Sequence, residues 1–383
     1  MGEVVRHEPL LRKEMPELDT IRGLAILGVI VYHAFYWSRD LSHFSPLQRI
    51  VLRAAAPGEF GVSLFFVLSG FLITGLLLDS RDRPDYYRRF YFRRALRILP
   101  AYYGILIVLL VAREMSRSYL IMSLLYCSNL SLLFGIQMTY PVLWSLSVEE
   151  HFYLVWPAVV RRVAPRGLIV LAGAIILFTP LLRLACFYHG LPTHFSNSGC
   201  DYYTWNMADG LACGSVLSLL LRRMNGDRKK FGWLCLGSFI VAGFLSVVAL
   251  PFGLRTGMRP VGAALQWTIS NVTFMGILAL FLLVGTSRWK ALVTSKVLRF
   301  FGYISYGLYL VHLLVYRLFD DLVRSVSPVY ATRLFTWDGI WLRFLIAGGA
   351  AVLLSYLSRR FFEEAFLRLK SKIPPPVPVA TPL

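Results

Sequence analysis

Arg22 and His33 lie eleven residues apart in the first long apolar run of this 383-residue chain, Ile21-Arg22-Gly23 through Val31-Tyr32-His33. In a helix that spacing is about 16 Å along the axis, roughly half of a ~30 Å hydrocarbon core. One group then stands near a membrane entrance and the other near mid-membrane. An ionisable side chain at that depth costs on the order of a few kcal/mol unless it meets a partner or a cavity. An imidazole titrates near neutrality and suits proton transfer. Equally, it can bond to a neighbouring helix and do nothing further.

Three other clusters carry candidate chemistry. A later apolar stretch contains Trp144-Ser145-Leu146-Ser147-Val148-Glu149-Glu150-His151. Helical spacing puts Ser145 and Glu149 on one face, continued by Phe152 and Trp156, so a carboxylate can turn into the bundle beside a hydroxyl. Glu150 and His151 read equally well as solvated interfacial groups. Upstream, Arg88, Arg89, Arg93, Arg94 and Arg97 follow one another without a lysine. Arg93 and Arg97 share a face, and planar guanidinium forks suit a polyphosphate; a basic membrane anchor would need only their charge. Near the C-terminal end, Ser305, Tyr309 and His312 form a polar stripe that can line a pore or bridge helices. The small residues of Gly61 to Phe71, Ser69 and Gly70 among them, read as a close-packing surface.

The elements that must position these groups follow from composition. With 57% apolar, 15% aromatic and 16% charged residues, the chain reads as all-α, a polytopic transmembrane helical bundle. The formal charge of +19 does not signal a nucleic-acid partner, because the basic residues bunch between apolar spans, where lipid headgroups account for them. About ten spans are expected, near 18 to 37, 58 to 79, 98 to 112, 143 to 160, 167 to 185, 205 to 221, 231 to 250, 261 to 285, 301 to 318 and 339 to 358. The basic segments 81 to 97, 161 to 166, 222 to 230, 288 to 299 and 359 to 372 then share one side, which sets both termini in the cytoplasm. Arg22 and Arg343 are read as lying within spans. Residues 113 to 142 become an external, re-entrant loop, which needs burial in protein or a cavity wall.

The domain reading is a cytoplasmic segment at 1 to 17, a membrane domain at 18 to 370 and a Pro-rich disordered tail at 371 to 383. The first helix is read as retained, since it lacks a small-residue cleavage site. Cys127, Cys213 and Cys235 suit apolar packing, while Cys186 and Cys200 flank an outer loop and could pair in an oxidising compartment. No cysteine or histidine spacing suggests a metal site.

Taken in order, these segments resemble the membrane acyltransferase family 3 over about residues 16 to 370. The likeness rests on Leu18-Asp19-Thr20-Ile21-Arg22-Gly23 with His33, and on Gly61 to Ile73. It continues through Arg93-Arg94-Ala95-Leu96-Arg97-Ile98-Leu99-Pro100, Leu143 to Tyr153 and Ile304 to His312. It implies an integral membrane O-acyltransferase of the bacterial cytoplasmic membrane. Such an enzyme moves an acyl group, acetyl by expectation, from cytoplasmic acyl-CoA to a hydroxyl of an extracytoplasmic carbohydrate or glycolipid of the cell envelope. On that reading Arg93, Arg94 and Arg97 hold the donor's phosphates and Arg22 guides its pantetheine arm. His33 meets the thioester as general base or acyl carrier, Glu149 orients the imidazole, and Trp144, Ser145, Tyr309 and His312 serve substrate binding.

Two departures stand out. Met207-Ala208-Asp209-Gly210 lacks the arginine that many members carry just before Asp-Gly-Leu, so a role for it is absent on this reading. Ala365 stands where Glu-x-Pro is usual, which bears on a terminal helix boundary. A transporter or flippase for a lipid-linked saccharide would use the same polar residues along a pathway, and a macrolide is an alternative acceptor. A non-catalytic scaffold would need none of them individually. Paired inverted halves, the mark of many transporters, are not visible. The oligomeric state is left open.

Overall fold

The computed structural model describes residues 9–12, 14–37, 40–189, 202–224, 226–254 and 259–369, and their regular structure is helical, with no strand among the described residues. The long helices are α1 (Pro16–Phe35), α2 (Gly61–Asp79), α3 (Tyr86–Val111), α4 (Leu143–Arg162), α5 (Pro165–His189), α6 (Thr204–Arg223), α7 (Arg228–Ala249), α8 (Pro260–Gly285) and α9 (Lys296–Val326). A final helical segment, α10 (Trp337–Arg368), contains two wider π turns. Eight of the ten are long and apolar enough to cross a membrane. The other two, α4 and α6, are 20 residues each. They are less apolar because they bring Glu149, Glu150 and Asp209 into the bundle.

Ion pairs and polar ties mark the two ends. At one end Arg22 meets Asp19, Arg222 meets Asp79, and Arg228 donates to Thr286 and to the Leu283 carbonyl. At the other, Arg317 meets Glu114 and Arg343 meets Asp320. The first will be called the arginine end.

Between apolar helices in lipid, association depends on close packing, and α2 and α6 show how it is reached. A methyl placed on Gly70 would collide with the Leu211 carbonyl oxygen, and one on Gly214 with the Val67 carbonyl oxygen. The two glycines let the backbones touch in both directions, and this fixes the register of α2 beside α6.

One sequence expectation is corrected by a buried side chain. Arg183 lies inside α5 and is 1% exposed. Its Nη2 donates to Asp209 at 2.6 Å, its Nη1 to Thr268 at 2.8 Å and its Nε to the Asn206 carbonyl at 2.7 Å. Thr268 donates to the second carboxylate oxygen at 2.6 Å. Asp209 therefore does have an arginine partner, supplied by the preceding helix. The network ties α5, α6 and α8 together with its charges paired, the condition under which a buried ion pair is tolerated.

Residues 113–142 do not form a span. Their α-helix, Arg117–Leu124, has eight residues, about 12 Å and too short for a ~30 Å core. The segment is buried in protein instead: Ser128 bonds to Ser147 at 2.7 Å, Asn129 donates to Thr204, and the Tyr140 hydroxyl donates to the Leu310 carbonyl. The helix at the C-terminal end runs through Ala365 to Arg368, so that departure ends no helix. Cys200 and the tail at 371 to 383 lie outside the described residues.

Candidate functional site

Two cavities open in the bundle, one toward each end. The larger, of about 850 Å³, extends from the arginine end to the level of Ser145, Glu149 and Tyr309, between apolar walls that include Phe65, Leu68 and Leu72. Eight arginines border it, and their partners sort them. Arg12 is paired with Glu17, Arg22 with Asp19, Arg83 and Arg89 with Asp85, and Arg222 with Asp79. The hydrogen bond from Arg83, backed by the charges of Arg83 and Arg89, holds the Asp85 carboxyl below the usual carboxylate range. Arg93, Arg94 and Arg97 differ: among the described residues they make no hydrogen bond and no ion pair. Arg94 lies over the Tyr153 ring at 4.8 Å, and the Nε of Arg93 is buried without an acceptor. Three guanidiniums with unused donors on one cavity wall have the chemistry to meet an anion with several oxygens.

Glu149 lies in electrostatic reach of Arg94 and Arg97. It accepts a hydrogen bond from Ser69 at 2.7 Å, and Ser69 accepts one from the Tyr153 hydroxyl at 3.2 Å. The expected bond between Glu149 and His33 is not formed. At the far end of the cavity the Ser145 and Tyr309 hydroxyls are 2.6 Å apart, and Ser145 reaches the Val142 carbonyl at 3.3 Å. Because that carbonyl can only accept, Ser145 donates to it and Tyr309 donates to Ser145. Trp144 borders neither cavity; it packs edge-on against Phe66 and Tyr202.

His33 borders the smaller cavity, of about 250 Å³, together with Trp37, Leu313, Tyr316 and a group of charged residues. Its Nδ1 donates to the Val29 carbonyl at 2.8 Å. This fixes the tautomer and leaves the Nε2 lone pair to accept a proton. His312 is fully buried between the two cavities. Tyr309 on the same helix borders the larger cavity, and Leu313 borders the smaller. The two spaces are thus separated by about one turn of α9, roughly 6 Å along its axis.

The structure therefore gathers Arg22, Arg93, Arg94, Arg97, Ser145, Glu149 and Tyr309 around one cavity and His33 at another, with His312 between. Ser69 was read as packing only. Its signal was its place on a small-residue face opposite a helix that carries an intramembrane carboxylate, which requires a donor. The paired charges of the smaller cavity gave no motif, because they come from α9, α10 and the segment before α4.

A family model described as an acyltransferase domain matches residues 15–360. Among curated proteins, the chain is 26% identical over 390 residues to the peptidoglycan O-acetyltransferase OatA of Listeria monocytogenes, covering 92% of this chain and 56% of that protein. It is 28% identical to a provisionally named peptidoglycan O-acetyltransferase of Bacillus subtilis, covering 85% and 52%. With a provisionally named O-acetyltransferase of Staphylococcus aureus the identity is 27%, covering 92% and 57%. The chain spans about half the length of the curated relatives it matches. No solved structure matches it.

Proposed function

Since this chain belongs to the acyltransferase family whose model covers residues 15–360, we propose that it moves an acyl group from acyl-CoA, bound at the arginine end, to a hydroxyl of an envelope carbohydrate at the opposite end. Acetyl is the acyl group in the names of its relatives, and peptidoglycan the acceptor in two of them. The observation that carries this reading is the pair of cavities that approach from opposite ends to within about one turn of α9. One offers unpaired arginines, the other an imidazole with a free basic nitrogen.

The residues present suit such a donor. Its phosphates meet Arg93, Arg94 and Arg97, whose donors are otherwise unused; Arg22, already paired with Asp19, gives a weaker contact further along. The apolar walls accept the uncharged arm that leads to the thioester. This orientation places the arginine end in the cytoplasm and the chain in the bacterial cytoplasmic membrane.

Transfer breaks the thioester C–S bond and forms an ester C–O bond. Nε2 of His33 takes the hydroxyl proton as the oxygen attacks, and the same proton passes to the departing thiolate. Glu149 serves the donor side, where it holds Ser69 and offsets the charge of Arg94 and Arg97. Tyr309 and Ser145 stand at the inner end of the larger cavity, about one turn of α9 from the smaller one.

The test is acyl transfer by the purified protein in nanodiscs, read as free CoA released with an equal amount of O-acyl ester. Stoichiometric ester and CoA that vanish in a folded His33→Ala variant support the reading. Passage of an unmodified saccharide across a vesicle membrane with no CoA released would replace it with transport.

A further inference from the structure

The smaller cavity beside His33 carries three guanidiniums, and unlike Arg93, Arg94 and Arg97 of the larger cavity each has a carboxylate partner. Arg317 pairs with Glu114 at 3.2 Å and Arg324 with Asp321 at 3.2 Å. Arg343 grips Asp320 with two bonds, 2.7 Å from Nε and 2.9 Å from Nη2, and lies 4.3 Å over the Tyr316 ring. The formal charge of the three pairs is zero. An anionic ligand gains little from arginines already engaged, and capturing Arg343 would strand Asp320, which is 20% exposed, without its counter-ion. A neutral ligand rich in hydroxyls meets no such obstacle. Its hydroxyls can bond to the remaining guanidinium N–H groups and to the Asp320 carboxylate, and its C–H face can pack on Trp37. At about 250 Å³ the space falls below the ~300–1,000 Å³ usual for drug-sized ligands, so it holds one ring.

We propose that this cavity is the acceptor subsite and that it selects a single uncharged polyhydroxylated ring, an unmodified pyranose rather than a uronate or a sugar phosphate. The inference rests on the acyl-transfer reading given above and adds the charge class of the acceptor. It makes the protein bipolar in specificity: an anionic donor at one end, a neutral acceptor at the other.

The experiment uses the full chain in nanodiscs with acetyl-CoA and three acceptor probes: methyl glucoside, methyl glucuronide and methyl glucoside 6-phosphate. Ester formation is read by mass spectrometry and CoA release in parallel. The expected result is a kcat/KM for methyl glucoside at least about tenfold above both charged probes. Asp320→Asn, which leaves Arg343 without its counter-charge, narrows or reverses that ratio. Glu114→Gln, which frees Arg317 on the other wall, acts in the same direction and serves where the first variant does not fold. A wild-type preference for the uronate or phosphate, or a ratio unmoved in both folded variants, overturns the charge selection while leaving acyl transfer standing. Absence of CoA release with every probe overturns both.

Discussion

The imidazoles of His33 in α1 and His312 in α9 stand with ring centroids 5.0 Å apart, and each gives its Nδ1 proton to a backbone carbonyl of its own helix. Both rings therefore present Nε2 as an acceptor. That of His312 is buried and has no partner among the described residues. A buried acceptor left without a donor costs about 1–3 kcal/mol, so this ring is held there at some expense to stability. Glu149, the partner expected for His33 from sequence, is engaged with Ser69 instead.

His312→Phe removes the unpaired nitrogen and keeps a ring of similar shape. Thermal unfolding in detergent is expected to rise or stay level, while kcat falls by about tenfold, the size of a ~1.4 kcal/mol loss in the transition state. A lower melting temperature with kcat unchanged would make His312 a packing residue.

For His33→Ala the loss is larger, about 10²–10⁴-fold in kcat, the usual contribution of a positioned general base. CoA release by protein that elutes and melts like the wild type is the measurement. Undiminished turnover would return His33 to a packing role.

Arg94→Ala and Arg97→Ala should each raise the KM for acyl-CoA by about ten- to a hundredfold, corresponding to a lost charged hydrogen bond of ~1.5–3 kcal/mol. Arg22→Ala should raise it less, because Arg22 already spends a donor on Asp19 at 2.5 Å. Equal effects at all three positions would contradict the sorting of arginines by partner.

Breaking the buried network should be costly in proportion to the charge left alone. Asp209→Ala strands Arg183 and is expected to destabilise by about 3–5 kcal/mol, whereas Arg183→Met with Asp209→Leu removes both charges and costs less than either single change. A double-mutant cycle on chemical denaturation reads this directly.

Gly214→Leu tests the α2 and α6 contact. With the Val67 carbonyl in the way of any side chain, α6 must move, and overpacking of this kind costs about 1–3 kcal/mol. The protein is expected to melt at lower temperature and to lose cavity-dependent binding of acyl-CoA.

Much of the bundle is legible in the sequence because spans announce themselves by length and apolarity. Arg22 and His33 come out at different levels of α1 for the same reason, since helical rise is local information. What fails to show is the register between helices. Glu149 meets Ser69 across 80 positions, and His33 meets His312 across a still wider interval; no periodicity within one helix states either pairing. The partner of Asp209 did not show for the same reason: Arg183 is on the preceding helix, 26 positions away, and only the packing of α5 on α6 joins them. The charges around the smaller cavity were silent because paired arginines on different elements leave no motif.

The central claim is that donor and acceptor reach the bundle from opposite ends. Proteoliposomes with the protein in one orientation, given membrane-impermeant acetyl-CoA on the arginine side, test it. The account predicts O-acetyl ester only on an impermeant acceptor held in the other compartment, with CoA released on the arginine side. Ester formed only when both substrates share a compartment would contradict it.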